Sequence, residues 1–213
     1  QRVRRQLPPG VTLVAVSKFQ PATAVAAAYA AGQRALGESR VQELAAKVPQ
    51  LPADVQWHFI GHVQTNKVRA LLRCRPALVQ SVDSGRLLRA LDAEAAAQGV
   101  TVDVLLELHV AREATKGGFT PDEALALAGG GTLHELRAAR VRGGMAMAGM
   151  TDDHHVVEAE FRLARDTFER LRAGAPWLDT VSMGMSDDWP VAVDCGSTMV
   201  RLGTAIFGPR NQQ

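Results

Sequence analysis

Cysteine is scarce in this chain: Cys74 and Cys195 are the only two, they lie far apart, and neither belongs to a CxxC pair. Such spacing excludes a disulfide framework and offers no zinc ligands, so a reducing compartment is expected, with the cytoplasm as the default. Long apolar runs are missing as well. No stretch approaches the roughly 18 residues that cross a bilayer, and the first residues show no charged-then-apolar leader, so no membrane association is expected. Nor does one sign of charge dominate, since 24 Lys and Arg face 22 Asp and Glu. The one basic cluster, QRVRRQ at 1–6, reads as a solvated chain end, and no nucleic-acid footprint emerges. Neither GxGxxG nor a Walker-type P-loop occurs, and the first turn after a β-rich run reads SKFQPA.

What is present is a chain of 213 residues, 46% hydrophobic, in which short β-rich runs alternate with longer Ala/Leu-rich amphipathic ones. No linker interrupts the pattern, so a single domain over 1–213 is expected. The candidate strands are Leu13 to Ser17, Arg34 to Gly37, Gln56 to Gly61, Leu78 to Val82, Thr101 to Val110, Val141 to Ala146, Thr180 to Gly184 and Met199 to Gly203. Helix signals lie between them: Pro21 opening and Gly32 closing one, Ser84 as an N-cap and Gly99 as a stop for another. The longest helix carries Val157, Phe161, Ala164, Phe168 and Leu171 at steps of four and three, which is a core stripe. Eight strands alternating with helices favour a closed (β/α)8 barrel, of the TIM type, over an open doubly wound sheet.

In such a barrel the chemistry gathers where strands end and helices begin. Lys18 follows the first strand in LVAVSK, Glu38 and Ser39 the second, His62 the third, Asp83 the fourth and Met147 the sixth. At the last two junctions SMGMSDDW and GSTMVRLGTAIFG set Ser182, Ser186, Gly184, Gly203 and Thr204 around fresh helix starts. Hydroxyls and backbone N–H groups of that kind make an anion cradle. Arg201 lies between Val200 and Leu202, so alternation points it opposite to them, either outward as a surface arginine between helices or inward near the top of the barrel, where it could bond a ligand. Closure would bring the first strand beside the eighth. Pyridoxal 5′-phosphate would use all three features: an aldehyde for the lysine, a phosphate for the cradle and a pyridine nitrogen for the arginine. A phosphate-binding barrel unrelated to pyridoxal stays open on these residues alone.

LVAVSK, LGESRVQE, WHFIGHVQTNK, SVDS, EATKGG, SMGMSDDW and GSTMVRLGTAIFGPR together resemble the pyridoxal phosphate homeostasis proteins, also described as the YggS-like or proline-synthetase co-transcribed family. The likeness runs from about Val11 to Arg210. It implies a barrel similar to the N-terminal domain of alanine racemase, with Lys18 as the Schiff-base lysine and Arg201 facing the pyridine nitrogen. Ser186, Gly203 and Thr204 would hold the phosphate, with Ser182 and Met185 close by, and His62 and Asn66 at the rim. Lys116 matches a lysine of a family loop. Two departures stand out: Ser39 replaces a family asparagine near the cofactor, and at the chain ends the family's terminal arginine-then-tyrosine reads PRNQQ and its N-terminal helix is expected to be absent or cut.

The resemblance also bears on catalysis. Racemisation needs acid/base groups on both faces of the intermediate, and alanine racemase takes its second from a tyrosine of another domain. Tyr29 is the one tyrosine here, placed in the first helix pattern on the barrel's outside. An arginine opposite the ring nitrogen also disfavours its protonation and weakens the electron sink. A cofactor buffer and carrier, monomeric and serving pyridoxal-dependent apoenzymes, is the expected function. An amino-acid racemase or other pyridoxal-dependent enzyme, completed by a partner or by His62, is the alternative. His154 and His155, after Asp152 and Asp153 at a helix start, are expected to be exposed, and His58 and His109 to lie within strands.

Overall fold

Short apolar runs such as TLVAV and LVQSV become strands because β-branched side chains pack well on a pleated surface, and each run is too short for a stable helix. The computed structural model describes residues 2–111 and 117–209. Its strands are β1 (Thr12–Val16), β2 (Ala35–Glu38), β3 (Gln56–Phe59), β4 (Leu78–Val82), β5 (Val102–Leu108), β6 (Ala139–Ala146), β7 (Thr180–Ser182) and β8 (Met199–Leu202). They close in sequence order into a barrel in which every neighbouring pair is parallel. The helices are α1 (Arg2–Gln6), α2 (Ala22–Ala30), α3 (Val41–Lys47), α4 (Val68–Arg73), α5 (Gly85–Ala97), α6 (Pro121–Gly129), α7 (Thr132–Glu135), α8 (His154–Gly174), α9 (Trp189–Asp194) and α10 (Thr204–Phe207). All eight expected strands are present, with ends displaced by at most two residues.

Helix boundaries follow local chemistry. Ser84 caps α5 by accepting from the Leu87 N–H, and Thr120 and Glu123 form a reciprocal capping box at α6. Asp153 caps α8 through the His155 N–H, and His154 and His155 are exposed. The stripe Val157, Phe161, Ala164, Phe168, Leu171 is buried throughout. Each large side chain of that kind contributes roughly 1.5–3 kcal/mol when removed from water. Residues 2–6, expected as a solvated end, form a short helix with Arg4, Arg5 and Gln6 exposed, and Arg4 reaches the Gly32 carbonyl and the Gln33 side chain.

Two apolar layers hold the barrel. The larger lies between strands and helices; the smaller comprises Val14, Ala35, Leu78, Leu105, Met145 and Met199 and fills the interior. β6 joins this inner layer through a bulge: register slips between Val104 and Leu105, so that Leu105 faces Gly143 and Glu107 faces Met145. The bulge demands glycine. At Gly143 φ is +155°, and a Cβ there would stand 1.8 Å from the Thr180 carbonyl oxygen. At the seam, β1 and β8 pair Val14 with Arg201 and Ala15 with Leu202. Closure thus sets Arg201 on the inner face, two residues short of the end of the strand that leads to Lys18.

Candidate functional site at the C-terminal mouth of the barrel

The mouth is organised around a buried polar chain. Arg201 is only 5% exposed and donates from Nη1 to the Ser182 carbonyl oxygen at 2.8 Å and to Ser182 Oγ at 2.6 Å. Its Nη2 donates to the Ala146 carbonyl oxygen at 3.0 Å. Ser182 Oγ in turn donates to Gln80 Oε1 at 2.6 Å, and Gln80 Nε2 lies 2.9 Å from His58 Nδ1. Four strands, β8, β7, β4 and β3, are therefore tied through one interior path. Burial pulls the Arg201 guanidinium down to about 10, while the charges of Asp188 and Glu107 oppose that shift, so the group stays cationic at neutral pH. Burial also holds His58 down at about 4, which makes it a neutral ring.

A second group of charges faces this cation. His62 Nδ1 stands 3.0 Å from Asp83 Oδ2, with the His62 side chain 71% exposed. Glu107, half-buried on the inner face of β5, has its carboxyl pushed up by burial and by Asp83 and pulled down by Arg201 and His62. Across the mouth, the loop after β7 meets the start of α10, where the Ala205 N–H donates to Ser186 Oγ at 3.4 Å. The Met185 N–H donates to Asp188 Oδ1 at 2.5 Å and the Arg201 N–H to the Gly184 carbonyl at 2.9 Å, which fastens this loop to β8. A cleft of about 490 Å³, bounded by Gly149, Met150, Met185, Asp187 and Asp188, opens beside it.

The residues singled out in the sequence thus sit at one end of the barrel. Lys18 is half-buried in the turn after β1, Ser39 follows β2, and His62, Ser186, Gly203 and Thr204 follow β3, β7 and β8. Arg201 is interior, which disposes of its reading as a surface group. Two positions differ from expectation. Ser182 is fully buried and its hydroxyl serves Gln80 and Arg201, so it is taken up inside the wall rather than offered to an anion. His109 lies just past β5 and is half-buried, whereas His58 is within its strand and buried as expected. Asn66 is exposed in a 3₁₀ turn, and Lys116 lies outside the described residues.

Gln80 and Glu107 were not legible as site residues. The available signal was a polar side chain at an inward phase within an apolar strand, in LVQSV and VDVLLEL, and it becomes decisive only once closure shows which phase is inward. Among the described residues no group of three or more His, Cys, Asp or Glu has the geometry of a metal site, and no helix is long and apolar enough to cross a membrane.

The family model described as alanine racemase, N-terminal domain, matches residues 1–211. The pyridoxal phosphate homeostasis protein of Haemophilus influenzae is 40% identical over 206 residues, covering 94% of this chain and 86% of that protein. The protein of that name from Escherichia coli is 37% identical over 211 residues, covering 96% and 88%. Among solved structures, PipY of Synechococcus elongatus with PLP bound superimposes with a TM-score of 0.88 at 39% identity, over 97% of both chains. Alanine racemase of Clostridium difficile, at 15% identity and a TM-score of 0.73, spans 99% of this chain but 55% of its own and shares the fold. With a family model over nearly its whole length and relatives well above 30% identity, this chain belongs to the pyridoxal phosphate homeostasis protein family, on the alanine racemase N-terminal barrel.

Proposed function

We propose that this chain binds pyridoxal 5′-phosphate reversibly at the barrel mouth and acts in its homeostasis, buffering the cofactor and delivering it to apoenzymes that depend on it. The observation that carries the reading is the β1–β8 seam, where the strand leading to Lys18 lies beside the one bearing buried Arg201. The donor set fits the cofactor: a primary amine at Lys18, an inward cation at Arg201, and the hydroxyls and N–H groups of Ser186, Gly203 and Thr204 beyond it. When bound, pyridoxal 5′-phosphate supplies an aldehyde that condenses reversibly with a primary amine, releasing water.

Lys18 provides that amine. Ser17 turns outward to bond Glu38, and Lys18 follows it, half-buried, in the turn at the mouth. Arg201, locked by Ser182 and Ala146, would offer a positive charge to the cofactor's ring nitrogen and disfavour its protonation. Ser182 works through Arg201, and Met185 and His62 border the mouth, with Ser39 on the side of β2. The names of the curated relatives and the PLP-bound neighbour support this assignment.

The non-catalytic reading rests on proton chemistry. Tyr29 Oη donates to Asp54 Oδ1 at 2.5 Å on the outer face, far from acting as a base inside the mouth. An arginine partner at the ring nitrogen holds back carbanion formation. Borohydride reduction of the loaded protein with peptide mapping tests the site, and the label is expected on Lys18; label elsewhere overturns it. Incubation with L-amino acids in heavy water tests the absence of turnover: retained α-protons support the carrier, and exchange at enzymatic rates establishes the enzyme.

A further inference from the structure

Lys18 is gripped by its own main chain. The carbonyl of Ser17, which opens the Ser17–Lys18 peptide, accepts from Lys47 Nζ at 2.9 Å and from the Gln20 N–H at 3.0 Å. The N–H of Phe19, which closes the Lys18–Phe19 peptide, donates to Glu43 Oε2 at 2.9 Å. Both grips come from α3, and they touch each other, since Lys47 Nζ lies 3.6 Å from Glu43 Oε2. Residues four apart on a helix share a face, so a single turn of α3 reaches both peptides at once.

Beneath this pair is a buried anchor. Lys47 is 7% exposed and Glu38 fully buried, with Nζ and Glu38 Oε1 2.7 Å apart. Ser17 Oγ donates to the same Glu38 oxygen at 2.6 Å, and among the described residues Glu38 Oε2 has no hydrogen-bond partner. Burial pushes the Glu38 carboxyl up, and the bonds from Lys47 and Ser17 pull it back. An enclosed ion pair of this kind adds little stability over apolar side chains of the same volume, because desolvation cancels most of its attraction. What it does supply is directional geometry. Phe19, next to the grip, sits at φ 64° in the left-handed region, a strained conformation for a residue with a side chain, under the Arg40 guanidinium at 4.9 Å from its ring centroid.

We infer that Glu43 and Lys47, seated on Glu38, are positioning residues that hold the peptides on both sides of Lys18 and thereby aim its amine at the site beside Arg201. The inference rests on Lys18 as the cofactor lysine, and its test is separable from that reading. In the unsubstituted protein, borohydride label on another lysine would defeat the site assignment itself. With label on Lys18, the clamp is judged by three variants, Glu43→Ala, Glu43→Gln and Lys47→Met, measured for cofactor affinity, thermal unfolding of the cofactor-free chain, and the pH profile of Lys18 acylation by acetic anhydride in that chain, read by peptide mapping.

Glu43→Ala and Lys47→Met are expected to weaken cofactor binding roughly ten-fold and to move the Lys18 acylation profile, as an amine released from a fixed main chain samples new surroundings. Glu43→Gln keeps an acceptor for the Phe19 N–H and is expected to recover most of the affinity. A folded Glu43→Ala protein with unchanged affinity and unchanged acylation profile overturns the clamp, and so does a Glu43→Gln protein as impaired as Glu43→Ala. Should Lys47→Met not fold, Glu43, whose side chain is 23% exposed at the rim, still decides the question.

Discussion

Arg201 Nη1 and Ser182 Oγ stand 2.6 Å apart inside the barrel, and the same hydroxyl donates to Gln80 Oε1. One serine thus orients the only interior guanidinium among the described residues and satisfies a buried amide. Ser182→Ala would leave Gln80 Oε1 without that donor and Arg201 short of an acceptor. The expected cost is about 1–3 kcal/mol, because a buried polar atom loses its partner with no water to replace it. Urea unfolding of the cofactor-free chain measures it, and a several-fold weaker cofactor affinity should accompany it.

Gly184 separates β7 from the loop that carries Ser186. Its φ is +94°, and a Cβ would meet Ala192 Cβ at 2.7 Å and Trp189 Cα at 2.9 Å. Gly184→Ala should therefore destabilise the protein by roughly 1–3 kcal/mol through strain and overpacking, and should displace the loop. Thermal unfolding and cofactor titration on the same preparation read both effects, and an unchanged melting temperature would contradict the close packing of α9 on this turn.

The phosphate end can be separated from the amine end. Ser186→Ala and Thr204→Ala should each weaken pyridoxal 5′-phosphate binding about ten- to a hundred-fold, the loss of one hydrogen bond to a charged group. Binding of pyridoxal, which lacks the phosphate, should be unchanged in both. Equal losses for the two ligands would place the phosphate elsewhere.

His58 imposes a pH dependence on stability. Its folded value, about 4, lies below the ordinary 6.5, so the unfolded chain takes up a proton that the folded chain refuses. Stability from this residue is complete above pH 6.5 and declines as pH falls toward 4, by about 2 kcal/mol between pH 7 and pH 5. His58→Leu should flatten that part of the curve even though it removes the partner of Gln80 Nε2 and lowers stability at every pH. Unfolding free energies of both proteins at the two pH values provide the check.

Much of the architecture was legible because it is written in local terms. Strand runs, the cap at Ser84 and the stripe on α8 each depend on residues a few positions apart, and each is present in the fold. The site was legible in part for the same reason: strand ends mark the mouth, and Lys18, Ser186, Gly203 and Thr204 lie there. Glu107 and Gln80 are hidden because a polar residue in a strand reads equally as surface, and Ser182 reads as a hydroxyl for an anion because nothing local reveals Gln80 across the barrel.

By itself, then, the sequence determined the eight βα units and the chemistry offered at each junction, since hydrophobic period and turn chemistry act over single elements. Only the tertiary structure decided which face of each strand is interior, through closure of β1 on β8 and the slip at Gly143. It also decided the surroundings of Glu38, Glu43 and Lys47: once α3 packs behind β1, Lys47, paired with buried Glu38, and the partly exposed Glu43 bond the main chain on either side of Lys18. Long-range closure selects those contacts, and no local pattern encodes them.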